Sequence, residues 1–142
     1  MLVEDYYSLA DGDERAFILT IKYGDYEVFE KLLSNCENVN LTDRSDSNWT
    51  LMYAVLEESF YMVQKLVEAD ADVNIRAIEP HIELYVDKFA LNISAYGCCR
   101  AFSADEYNCN KKIYDYLFPL TSPELKSIAE ENFNRRTDIM FD

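Results

Sequence analysis

The hydrophobic pattern is clearest from Leu51 to Ile75. Apolar residues fall at Leu51, Ala54 and Val55, then at Met62, Val63, Leu66 and Val67. Both sets have the i, i+3, i+4 spacing of a short amphipathic helix. The interval Glu57–Ser59 is too polar to continue one buried stripe and suits a turn. Ala69-Asp70-Ala71-Asp72-Val73-Asn74 leaves the helical period, so the stretch reads as helix, turn, helix and an extended exit. Neither helix is long enough to be stable alone in water, so the unit needs neighbours.

A copy of the second helix and its exit lies 34 residues earlier. Glu27-Val28-Phe29-Glu30-Lys31-Leu32-Leu33 places its apolar residues as Tyr61-Met62-Val63-Gln64-Lys65-Leu66-Val67 does, and Asn38-Val39-Asn40 matches Asp72-Val73-Asn74. A fixed period of this size marks stacked repeats. From Trp49 to Asn74 the chain resembles the ankyrin repeat, T-P-L-H-x-A-A, a turn, a helix and G-A-D-V-N. Leu51 takes the Leu position, Ala54 and Val55 the small pair, and Ala71-Asp72-Val73-Asn74 the ending. Trp49, Thr50 and Met52 stand where the family has T, P and H, and Asp70 replaces the helix-ending Gly.

The resemblance implies an all-α repeat fold. It would be an ankyrin-type stack of helix–turn–helix units with hairpin or loop fingers and a C-terminal capping helix. One domain is expected over 1–142: a lead-in at 1–13, repeats at 14–40 and 41–74, a degenerate third repeat with insertions at 75–120, and a capping helix and tail at 121–142. Two tyrosines of Val3–Leu9 are expected to cover the open end. Glu14–Tyr23 and Tyr26–Ser34 are the first pair of helices, with Ala16, Phe17, Leu19, Thr20 and Ile21 as packing positions. The third repeat keeps only Leu91, Ser94 and Ala95 of the inner-helix pattern. Insertions are expected at Ile75–Lys88 and Gly97–Asn108, the latter before an outer helix Asn110–Phe118 capped by Asp105 or Asn108. Ser122-Pro123-Glu124 has the cap, proline and early acid of a helix start. That helix is expected over Leu125–Phe133, with a frayed tail from Arg135 to Asp142.

Composition changes the picture mainly through charge. The chain has 142 residues, enough for a real core, 49% of them hydrophobic, with only three Gly and three Pro. It carries 27 acids against 13 bases, a net charge of −14. Residues 1–80 hold 17 of those acids and only 6 of the bases. Such a field can serve solubility alone, or it can steer a partner with a basic surface. Nucleic acid as a direct ligand and an anionic membrane are disfavoured by the same charge. Met1–Asp5 lacks the basic start and apolar run of a signal peptide, and a cytoplasmic location is expected. The Asn-x-Ser/Thr matches at Asn40, Asn48 and Asn92 then read as chance.

The chemistry-bearing residues are sparse. Cys36, Cys98, Cys99 and Cys109 show no disulfide-framework or zinc spacing with His81, so free thiols, no metal and no cofactor are expected. There is no phosphate loop, HExxH or GxSxG. A Cys98 or Cys99 nucleophile with His81 as base is conceivable, but the expectation is a chain that is not an enzyme. By resemblance it is a protein-binding module that uses finger tips and the concave face of the inner helices. The positions carried over are Thr42, Arg44, Ser45, Asp46 and Asn48 in the first finger. Lys22 and Tyr23, Leu56 and Glu57, and Tyr96 and Gly97 follow the small pairs, and Arg76, His81, Tyr85 and Asp87 surround the second finger. Tyrosines among acids suit a basic partner. Two readings follow, an acidic inhibitor or immunity-type protein masking a toxin or nuclease, and a general adaptor or scaffold.

Overall fold

In the computed structural model the described residues are 2–9, 12–42, 48–77 and 88–140, with side-chain surroundings as far as Arg135. Among them are eight α-helices, a short 3-10 turn at Phe118–Leu120 and no extended strand. The chain divides into two units, Met1–Asp72 and Val73–Asp142.

The first unit contains α1 (Val3–Leu9), α2 (Asp13–Lys22), α3 (Tyr26–Ser34), α4 (Thr50–Leu56) and α5 (Phe60–Glu68). α2 packs on α1, α3 and α4, and α4 packs on α5. The buried face follows the sequence period: Ala16, Phe17, Ile18, Thr20 and Ile21 on α2, Val28 and Phe29 on α3, and Met62, Val63 and Leu66 on α5. Leu19 is only half-buried, and Ile18, absent from the expected packing set, is fully buried. Of the two lead-in tyrosines only Tyr6 covers the core, at 1% exposure, while Tyr7 faces outward. The Tyr6 hydroxyl donates to Asp25 Oδ2 at 2.8 Å and ties α1 to the start of α3. Burial, then this bond, pushes the phenol up to about 12, and the same bond leads in holding the Asp25 carboxyl below its ordinary value.

The 34-residue period recurs in the backbone. The Gly24 N–H donates to Ile21 O and that of Glu58 to Val55 O; Asp25 and Ser59 follow by donating to Thr20 O and Ala54 O. Gly24 and Glu58 both have positive φ, 67° and 57°. Asp25 and Ser59 then cap α3 and α5, each accepting from the N–H three residues on at 3.3 Å. Asp70 takes a left-handed conformation as well, φ 69°, at the helix end where the resembling family has Gly. One antiparallel bridge, Thr42 with Trp49, closes the connection before α4. Thr50 braces it: its N–H donates to Leu41 O, and its buried hydroxyl donates to Val39 O. The Asp72 N–H donates to Asn40 Oδ1 at 2.9 Å.

The second unit is built around α6 (Ala90–Arg100), which packs on α7 (Ala104–Leu117) and α8 (Pro123–Met140). Leu91, Ser94 and Ala95 are fully buried at 0% exposure. Ala77 bridges Lys88 across the connection to α6, as Thr42 bridges Trp49. The Ser122 N–H donates to Asn74 Oδ1 at 2.9 Å, the same kind of link that Asn40 makes to Asp72. Inside, the Asn132 amide donates to Asn92 Oδ1 at 2.8 Å, and Tyr114 stacks on Phe133 at 4.8 Å.

Three expectations need correction here. Gly97–Asn108 is no loop, because α6 and α7 lengthen to absorb it, leaving only Ala101–Ser103 between them. Ser103, not Asp105 or Asn108, caps α7, accepting from the Glu106 N–H at 3.1 Å. α8 runs on to Met140 rather than fraying from Arg135. Gly97 is required by proximity: a Cβ there would lie 2.1 Å from Asn110 Oδ1, a side chain buried at 2% exposure that donates to Glu106 O.

Candidate binding edge of the first unit

Four large apolar side chains of the first unit stand exposed at or beside the turns between α2 and α3 and between α4 and α5. Tyr23 and Leu56 follow the ends of the buried stripes of α2 and α4 and are 61% and 51% exposed. Tyr26 opens α3 and Tyr61 lies in the first turn of α5, at 50% and 38% exposure. Tyr26 and Tyr61 pack edge to face at 5.4 Å, which links the two outer helices at this edge. On the inner side, Lys22 Nζ lies 4.7 Å from the Tyr53 ring centroid. Exposed apolar side chains brought to neighbouring turns in this way are a candidate contact surface.

The acids around the row point the same way. Glu57 closes α4 and Glu58 follows it, both exposed. The turn lies between the negative end of the α4 dipole and the positive end of α5, so the two helix fields oppose each other there. Glu58 holds a positive φ of 57°, a conformation that favours glycine. That strained choice directs attention to what the turn faces. Glu58→Gly should relieve it and stabilise the chain by about 0.5–1 kcal/mol in denaturant unfolding while weakening partner binding. A variant that loses stability would remove this argument. The rings can take cations, since Lys65 Nζ already lies 5.5 Å from the Tyr61 centroid.

The other expected site residues scatter. Thr42 donates through its hydroxyl to Asn48 O at 2.9 Å and belongs to the hairpin base. Asn48 is buried at 8% exposure, a correction to its reading as a variable finger residue, because it lies against the bridge that closes the loop. Arg76, in the second unit, pairs loosely with Glu124 at 4.0 Å. Tyr96 is half-buried with Arg100 over its ring at 5.3 Å, and Gly97 faces Asn110 rather than a ligand surface. Arg44, Ser45, Asp46, His81, Tyr85 and Asp87 lie outside the described residues. Tyr26 and Tyr61 are not among the expected site residues; for Tyr61 the available signal is an aromatic at the position where the first copy has Glu27.

The thiols give no catalytic arrangement among the described residues. Cys98 is fully buried with its sulfur 3.9 Å from Tyr107 O, so a substrate cannot reach it. Cys36, Cys98, Cys99 and Cys109 form no disulfide, and among the described residues no three His, Cys, Asp or Glu side chains are placed to hold a metal ion. Among the described residues no helix is long and apolar enough to cross a membrane. No protein-family model, curated protein or solved structure matches this chain.

Proposed function

We propose that the chain is a non-enzymatic protein-binding module of ankyrin type that holds a partner with a basic surface. In its most specific form it is an acidic inhibitor or immunity-type protein that masks a toxin or nuclease. The observation that carries this is the edge of Tyr23, Tyr26, Leu56 and Tyr61 rimmed by Glu57 and Glu58 on a chain of net charge −14. Exposed tyrosines supply contact area at low entropic cost, and the carboxylates select and steer a cationic face. The ankyrin reading draws support from the repeated Asn40 and Asn74 links and from the paired left-handed turns at Gly24 and Glu58. A second reading, a general adaptor for which acidity is incidental, shares the surface but not its electrostatics.

Salt separates the two. The partner is isolated by co-purification with the native chain, and the binary affinity is then titrated against ionic strength. An inhibitor of a basic protein should lose at least tenfold in affinity as salt rises from about 0.05 to 0.5 M, because screening removes the long-range attraction. Binding that is insensitive to salt, or a neutral partner, rejects the inhibitor reading and leaves the adaptor.

A further inference from the structure

Between the start of α2 and the end of α3 the first unit has an open cleft of about 540 Å3. Phe17 and Leu32 form its apolar wall, Tyr7 stands at its mouth, and Asp13, Glu14 and Glu37 supply its charge. Among the described residues no lysine or arginine lines it. Cys36 lies among these groups; burial raises its thiol first, and the Glu14 and Glu37 carboxylates add to that rise. Glu14 and Glu37 thus line the same cleft as Cys36.

Asp13 and Glu14 have a plain structural role, since acids in the first turn of α2 complement its dipole. Glu37 has none of that kind. It lies three residues beyond the last residue of α3, near the negative helix end, where a carboxylate costs stability. The cleft thus joins an apolar and aromatic lining to carboxylates contributed by two elements, the start of α2 and the segment after α3. That combination fits a long side chain with an apolar stem and a flat, multi-donor cationic head.

We propose that this cleft is a subsite for an arginine side chain of the partner, with the stem along Phe17 and Leu32 and the guanidinium between Glu14 and Glu37. The inference rests on the reading of the chain as a binder of a basic protein, and it adds a second contact point to the tyrosine edge. Arginine is favoured over lysine because its planar fork can serve two carboxylates at once while a face stacks on Tyr7.

The test uses the full chain and N-acetyl-arginine amide as the probe, followed by backbone NMR. The expected result is saturable shifts centred on Glu14, Phe17, Cys36 and Glu37. The uncharged citrulline analogue should produce none, and the Glu14→Gln/Glu37→Gln double variant should lose at least tenfold in affinity for the probe. Equal shifts with citrulline, shifts centred elsewhere, or an unchanged affinity in the double variant would overturn the proposal. Both glutamates are exposed, so the double variant should remain folded, and a thermal unfolding trace checks that it does. If the double variant binds the isolated partner as tightly as the native chain does, the subsite is rejected while the tyrosine edge and the binding function stand.

Discussion

Replacing Phe29 with alanine should cost about 3–5 kcal/mol, the range for deleting a fully buried phenyl ring. Phe29 is 0% exposed and stacks on Phe17 with ring centroids 5.5 Å apart and planes 21° off parallel. That pair joins α3 to α2, and α2 is the helix on which α1 and α4 also pack. α3 has nine residues and cannot hold itself in water, so its helicity depends on this contact and on the Asp25 cap. A loss of that size is a large share of the total stability of a small domain. Denaturant unfolding should show a large drop in midpoint, and Phe29→Leu should lose much less because it keeps most of the apolar volume. A Phe29→Ala loss below about 1 kcal/mol would mean that α3 is not docked as described.

Tyr23→Ala should weaken partner binding by about 2 kcal/mol, roughly thirtyfold, and the triple variant with Leu56→Ala and Tyr61→Ala should lose more. The rings are exposed in the free chain, so the effect belongs to the complex rather than to the fold. Unfolding free energies of the single variants should stay within about 0.5–1 kcal/mol of the parent, the larger figure applying to Tyr61 for its contact with Tyr26 and to Tyr23 for its contact with the buried Tyr6. The losses will not add, since neighbouring anchors share one desolvated contact. Substituting Thr42 should leave affinity nearly unchanged, because its hydroxyl is committed to Asn48 O. If Tyr23→Ala and the triple variant bind as the parent does, the edge is not the contact surface.

Much of the helical layout was legible because apolar spacing and helix geometry share one period. Val28, Phe29, Met62, Val63 and Leu66 are read as core and are core. Tyr26–Ser34 has the expected ends because Asp25 supplies a cap and Gly24 a left-handed turn. The region after Tyr96 was misread for a physical reason. Gly97 looks like a helix break from local propensity, but within α6 it makes room for Asn110, a tertiary contact that spacing cannot show. The candidate site is only partly legible in the sequence. Positions after the small pairs give Tyr23, Leu56 and Glu57, which are exposed, whereas the exposure and mutual packing of Tyr26 and Tyr61 are tertiary features that spacing does not carry. Asn48, expected in the finger, is buried, because a polar residue beside a backbone bridge can lie inward.

The central claim is that the partner sits on the tyrosine edge of the first unit. Amide exchange and side-chain NMR of the labelled chain, free and saturated with the isolated partner, test it most directly. Slowed exchange and shifted resonances centred on Tyr23, Tyr26, Leu56, Glu57, Glu58 and Tyr61 are expected. A footprint centred in the second unit, for example on the almost fully exposed Phe102, with those six residues unchanged, would contradict it.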